Sequence, residues 1–198
     1  MWPMMRAFKF TPLLLILVLL LGLAYAHVGA EHTSGWMAGM QHPFSGLDHL
    51  CAMVAAGLWA RQLGGRAVWF VPCTFVLVMA LAGLLGMVSI PLPFIEGGIL
   101  LSLLVLGFLV ALAIQLPLIV SAAIVGIFAL FHGYAHGVEM PHSISGLVYA
   151  LGFMFATAIL HLMGIAAAAW FAKIGHPQWL RLSGAFITLF GGTLYFVG

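Results

Sequence analysis

Charge is scarce in this chain: six Lys/Arg and four Asp/Glu stand among 198 residues, 5% of the whole. A soluble domain of this size normally carries about a quarter charged residues. So few ionised groups cannot cover a surface facing water. The 65% share of hydrophobic residues and the mean hydropathy of +1.23 turn that surface toward lipid. A net charge of +2 with no basic cluster removes nucleic acid from the expected partners. Cysteine is nearly absent too. Cys51 and Cys73 both lie in apolar runs and read as packing residues rather than a disulfide, since a buried thiol behaves as a small hydrophobe. The chain contains no H-E-x-x-H and no G-x-S-x-G stretch, which takes away the metalloprotease helix and the serine elbow. No enzyme is expected, and no soluble domain, linker or low-complexity segment interrupts the apolar sequence.

What is there begins with a leader. Arg6 and Lys9 precede an apolar run from Leu13 to Leu23, and Ala24-Tyr25-Ala26 supplies small residues for cleavage. That pattern predicts a bacterial signal peptide over residues 1–26 and a mature chain starting at His27. A span needs about 20 residues to cross roughly 30 Å of hydrocarbon. Six candidates follow, at about 42–60, 67–90, 94–114, 116–137, 143–172 and 179–197, making residues 27–198 one all-α transmembrane bundle. Gly64-Gly65, Pro91-Leu92-Pro93, Pro117, Pro141 and Gly175-His176-Pro177 punctuate them. Pro117 is expected as a first-turn residue of the fourth helix. With His27 outside and six crossings, Arg61, Arg66, Lys173 and Arg181 all fall on the cytoplasmic side, as the positive-inside rule asks. Both mature termini are then periplasmic. Small residues such as Gly133-x-x-x-Gly137 predict closely packed helices.

In that topology Glu31, Asp48, Glu96 and Glu139 map to the outer side, with His27, His32, His42, His49, His132, His136 and His142. A carboxylate at membrane depth costs several kcal/mol, so it needs a partner or a purpose. The first constellation is His42-Pro43-Phe44-Ser45-Gly46-Leu47-Asp48-His49. A helix beginning near Pro43 would stack His42 and His49 two turns apart, about 10 Å along the axis, with Asp48 beside them. The second is Phe131-His132-Gly133-Tyr134-Ala135-His136-Gly137-Val138-Glu139. Its histidines are i, i+4 and share a helical face, and mixed nitrogen and oxygen donors suit nickel, cobalt or zinc. The first cluster can also be read as an interhelical hydrogen-bond network, and a lone i, i+4 histidine pair also occurs by chance. Glu96 is either a vestibule charge or an acid favoured at a helix N-terminus. Met53, on the face of His49, is either a thioether donor or packing. His161 is either a deeper station for an ion or a satisfied core histidine.

At these motifs the chain resembles the HupE/UreJ family of nickel and cobalt permeases. The resemblance continues through Ala52-Met53, Gly57-Leu58-Trp59-Ala60 and Tyr149-Ala150-Leu151-Gly152-Phe153, and the leader and six-span layout agree with it. It implies secondary import of Ni²⁺ or Co²⁺ across the cytoplasmic membrane for hydrogenase or urease maturation. The metal is cargo, and no resident cofactor is implied. His42, Asp48, His49, His132, His136 and Glu139 are, by resemblance, the metal-handling residues. Metal binds neutral imidazole, so uptake is expected to weaken below about pH 6. Two other readings stay open: a haem-binding electron-transfer subunit with intramembrane histidines as axial ligands, and a membrane assembly factor whose polar clusters serve packing alone. Oligomeric state is not legible.

Overall fold

A computed structural model describes residues 35–140 and 145–197. The expected leader, His27, Glu31, His32, Pro141 and His142 lie outside the described residues. Within them the chain forms seven helices: α1 Gly35–Ser45, α2 Leu47–Leu63, α3 Ala67–Met87, α4 Ile95–Ala111, α5 Leu118–Val138, α6 Gly146–Lys173 and α7 Pro177–Val197. Of these, α3, α5 and α6 are each long and apolar enough to cross a membrane, while α4 is apolar but shorter at 17 residues.

Among the described residues, Gly64-Gly65, Pro91-Leu92-Pro93 and Gly175-His176 fall between helices, as the sequence places them. Gly64 and Gly65 turn between α2 and α3 with φ of +74° and +51°, a region that glycine enters without steric cost. Pro117 is the N-cap of α5 rather than a residue of its first turn. The larger correction concerns the first expected span. It does not start near Pro43, which lies inside α1. Helix instead runs from Gly35, stops at Ser45, and restarts after Gly46, whose backbone is extended at φ −110° and ψ 121°.

Glycines then join helices that are not neighbours in sequence. A Cβ at Gly133 would meet the Met79 carbonyl, one at Gly137 the Gly83 carbonyl, and one at Gly86 the Tyr134 carbonyl, so α3 and α5 pack backbone to backbone. Gly57 against His161 and Gly164 against Val54 join α2 to α6 in the same way, and Gly107 against Gly184 joins α4 to α7. Lipid tails supply no hydrophobic drive between helices, so this close van der Waals approach is what holds such a bundle together. Trp59, Phe75, Met53, Met79, Leu103, Leu106 and Leu160 fill the centre where the pairs meet. The outer face carries Leu77, Leu81, Ile119, Ile127, Leu147, Phe155 and Leu189 exposed. An apolar surface on this scale is a membrane surface.

Cys51 is partly buried against the core, and Cys73 is exposed on the outer face rather than packed; both are free thiols. The basic residues gather at one end. Arg61 lies in the last turn of α2, Arg66 caps α3, and Lys173 closes α6. Arg181 Nε–H donates to the carbonyl of Ala111, the last residue of α4, at 2.8 Å. The opposite end holds Asp48, Glu139 and Glu96, the last in the first turn of α4.

Candidate metal site

The break at Gly46 shapes the first half of the site. Ser45 Oγ–H donates to the His42 carbonyl at 2.6 Å and so satisfies one of the orphan acceptors at the end of α1. A Cβ at Gly46 would sit 2.6 Å from Asp48 Oδ1 and 3.1 Å from His49 Nδ1, so any side chain there would disturb both. Asp48 lies in the first turn of α2, where the helix dipole favours a carboxylate. Its Oδ1 accepts the His49 backbone N–H at 2.8 Å and the His49 Nδ1–H at 3.0 Å. An ionised carboxylate only accepts, so Nδ1 carries the proton and Nε2 presents a lone pair. That Nε2 is buried and has no partner.

The second half repeats this logic on α5. His132 Nδ1–H donates to the Phe128 carbonyl at 2.9 Å, leaving a buried, unpartnered Nε2. One turn later both ring nitrogens of His136 are buried without a partner. Glu139 caps the helix, and its Oε2 accepts the His42 Nε2–H at 2.9 Å. This hydrogen bond is the main reason that the Glu139 carboxyl is held below its ordinary 4.5, with partial burial opposing it.

The two halves interlock around His136. Its ring centroid lies 4.6 Å from those of both His42 and His49, and the His49 ring lies 5.0 Å from that of His132. A continuous helix would separate His42 from His49 by about 10 Å along its axis; the break sets both against one imidazole instead. The backbones of α2 and α5 scarcely approach each other, so these rings bridge the gap between them. Exposure falls inward, from 49% for the Glu139 side chain to 24% for His42 and 12% for His49, with His136 and His132 fully buried.

His42, His136 and Glu139 each offer a ligand atom within 4.8 Å of the other two. The 2.9 Å between His42 Nε2 and Glu139 Oε2 matches two adjacent donors of an octahedral ion, which at bond lengths of about 2.1 Å stand roughly 3.0 Å apart. The C-terminal ends of α1 and α5 converge here, each equivalent to about half a negative charge. Asp48 is not in this trio. It sits behind His49 and fixes its tautomer, the arrangement by which carboxylates commonly orient a metal-binding imidazole. Glu96 is exposed and outside the cluster, His176 is exposed and paired with Gln178, and Met53 is buried as packing.

Tyr149 and Phe153 of α6 stand out in the sequence only as part of a stretch carrying the resemblance, which does not place them at the site; their rings lie 5.8 Å from His42 and 4.2 Å from His136. The motifs did not reveal Phe75 of α3, 5.5 Å from His132. Aromatic residues in an apolar helix carry no local mark of what they face. His161 is buried with neither ring nitrogen hydrogen-bonded, so it is not a satisfied core histidine.

An all-helical membrane protein with imidazoles and a carboxylate converging at its acidic end defines the class. Within that class, the HupE / UreJ protein family matches residues 15–194, and this chain belongs to that family. A similar relative is Protein HupE of Rhizobium leguminosarum bv. viciae, 48% identical over 173 residues that cover 87% of this chain and 90% of that protein. No solved structure matches the chain.

Proposed function

We propose that this chain is a secondary transporter that imports divalent nickel, with cobalt as the alternative cargo, across the bacterial cytoplasmic membrane for hydrogenase or urease maturation. The observation that carries this reading is the convergence of His42, His136 and Glu139 at one end of an otherwise apolar bundle. Membership of the HupE/UreJ family supports it independently. In this reading residues 1–26 are a leader, and α1 with α2 forms the first of six crossings. The acidic end faces the periplasm and the basic end the cytoplasm.

The ion meets Glu139 and His42 first. As it replaces the proton shared by that pair, the carboxylate and imidazole exchange their mutual hydrogen bond for metal bonds, and a proton is released. His136, held between His42 and His49, replaces one further water ligand. His49 and His132 offer the next lone pairs inward, each aimed by the acceptor on its Nδ1. Glu139 and Asp48 offset the cost of bringing a dication into low dielectric.

The haem reading asks for a macrocycle-sized slot between imidazoles, and cofactor pockets run to roughly 300–1,000 Å³. The cavity beside His136, bounded by Met79, Gly133, Tyr149 and Phe153, has a volume of about 10 Å³. A groove of about 380 Å³ on the lipid face is lined by one histidine, His161, together with Cys73, and offers no second imidazole for bis-histidine ligation. Uptake of radioactive nickel into proteoliposomes tests the transport reading. The unsubstituted protein is expected to accumulate nickel and His136→Ala to lose at least tenfold in rate. Uptake that is unchanged in both His136→Ala and Glu139→Gln would sink the assignment.

A further inference from the structure

The fully buried polar side chains of the described residues are Ser102, Ser121, His132, His136, Thr157 and His161. The two serines are satisfied by carbonyls of their own helix or of the turn just before it. The other four form one column through the bundle. His136 and His132 are its outer part. Phe75 of α3 continues it, with its ring 5.5 Å from His132 and 5.0 Å from His161. One helical turn before His161 on α6, the Thr157 hydroxyl reaches the Met79 sulfur at 3.8 Å, and Met79 also bounds the small cavity beside His136. His161 lies midway along α6, about 18 Å along the axis from Tyr149, which touches His42 at the mouth.

A neutral imidazole with both nitrogens unpartnered in a dry interior lowers stability, and an apolar residue of similar shape would serve packing better. Ionisable side chains at membrane depth mark ion pathways more often than structural needs. We propose that His161, with the Thr157 hydroxyl and the Met79 thioether one turn outward, forms an inner station for the same divalent metal, passed on from the outer site. This rests on the transport reading and adds a second site to it. The donors are imidazole, hydroxyl and thioether, and none is a carboxylate. A neutral set holds a dication more weakly than Glu139 and Asp48 do at the mouth. Conduction needs such a site, which binds firmly enough to receive the ion and loosely enough to release it.

The test uses full-length protein in proteoliposomes and in detergent, with NiCl₂ as the probe. His161→Leu is expected to lose at least tenfold in nickel uptake, to keep its melting temperature or raise it, and to change nickel affinity at the outer site less than threefold. His161→Gln, which retains a donor oxygen, is expected to fall between Leu and the unsubstituted protein. Calorimetric titration supplies a second measurement. In His136→Ala/Glu139→Gln one weaker nickel site is expected to remain, and adding His161→Leu is expected to abolish it. Normal uptake by His161→Leu beside normal uptake by the unsubstituted protein overturns the inner station alone, as does the absence of a residual site in the double variant. No uptake by the unsubstituted protein overturns the transport reading and the inner station together.

Discussion

Replacing Asp48 by alanine leaves the His49 ring in place but removes the acceptor of its Nδ1–H and of its backbone N–H. A hydrogen bond to a charged group contributes about 1.5–3 kcal/mol, and one between neutral groups about 0.5–1.5 kcal/mol. Asp48→Ala forfeits the whole of the first figure. Asp48→Asn keeps an acceptor oxygen and forfeits the difference, about 1–1.5 kcal/mol. The Asp48 side chain is 21% exposed, so solvent screens part of its charge and the lower half of each range applies. Tenfold in affinity is about 1.4 kcal/mol. Nickel affinity is therefore expected to fall roughly tenfold to fortyfold in Asp48→Ala and roughly fivefold to eightfold in Asp48→Asn. Calorimetric titration of purified protein with NiCl₂ measures both. Two results would refute the role given to Asp48. Affinity within twofold of the original in Asp48→Ala would mean that His49 needs no orienting partner. Equal and severe losses in both variants would make Asp48 a direct ligand.

Gly137→Val places a branched side chain against the Gly83 carbonyl of α3, and overpacking of this kind costs about 1–3 kcal/mol. A lowered melting temperature in detergent is expected, whereas Gly97→Ala, with nothing within 4 Å of the added Cβ, is expected to shift it little. An unchanged melting temperature in Gly137→Val would disprove backbone contact between α3 and α5. The His42 hydrogen bond depresses the Glu139 carboxyl below 4.5, so its contribution is present above that value and is lost as pH falls through the lowered one. Melting temperatures measured from neutral pH downward are expected to decline below about pH 4.5 in the original protein. Glu139→Gln is expected to follow a flatter acid limb, and parallel curves would contradict the pairing.

Helical class, the positions of the breakers and the gathering of polar residues at one end were all legible from composition and spacing. Apolar runs and glycine pairs act locally or through period, and both are visible in one dimension. The break at Gly46 was not legible. Pro43 invited a helix start there, because proline suits a first helical turn, yet helix already runs from Gly35 through Pro43. The two motifs are brought together by the fold, and His42, His136 and Glu139 meet. The distinction between a group in the cluster of donor atoms and one that aims another group was hidden. It depends on which atom of Asp48 faces which nitrogen of His49, and spacing carries no such information. That Phe75, Tyr149 and Phe153 stand against the histidines was hidden for the same reason, although the Tyr149–Phe153 stretch was already part of the resemblance, since these contacts exist only across helices.

The separation of charge between the two ends has a consequence for an approaching ion. Among the described residues the carboxylates Asp48, Glu96 and Glu139 stand at one end and Arg61, Arg66, Lys173 and Arg181 at the other. To a dication these are unequal doors, since one concentrates it at the threshold and the other thins it out. The bundle thus favours encounter with a dication at its acidic end over its basic one. Raised ionic strength shortens the reach of both fields and makes the doors more nearly alike.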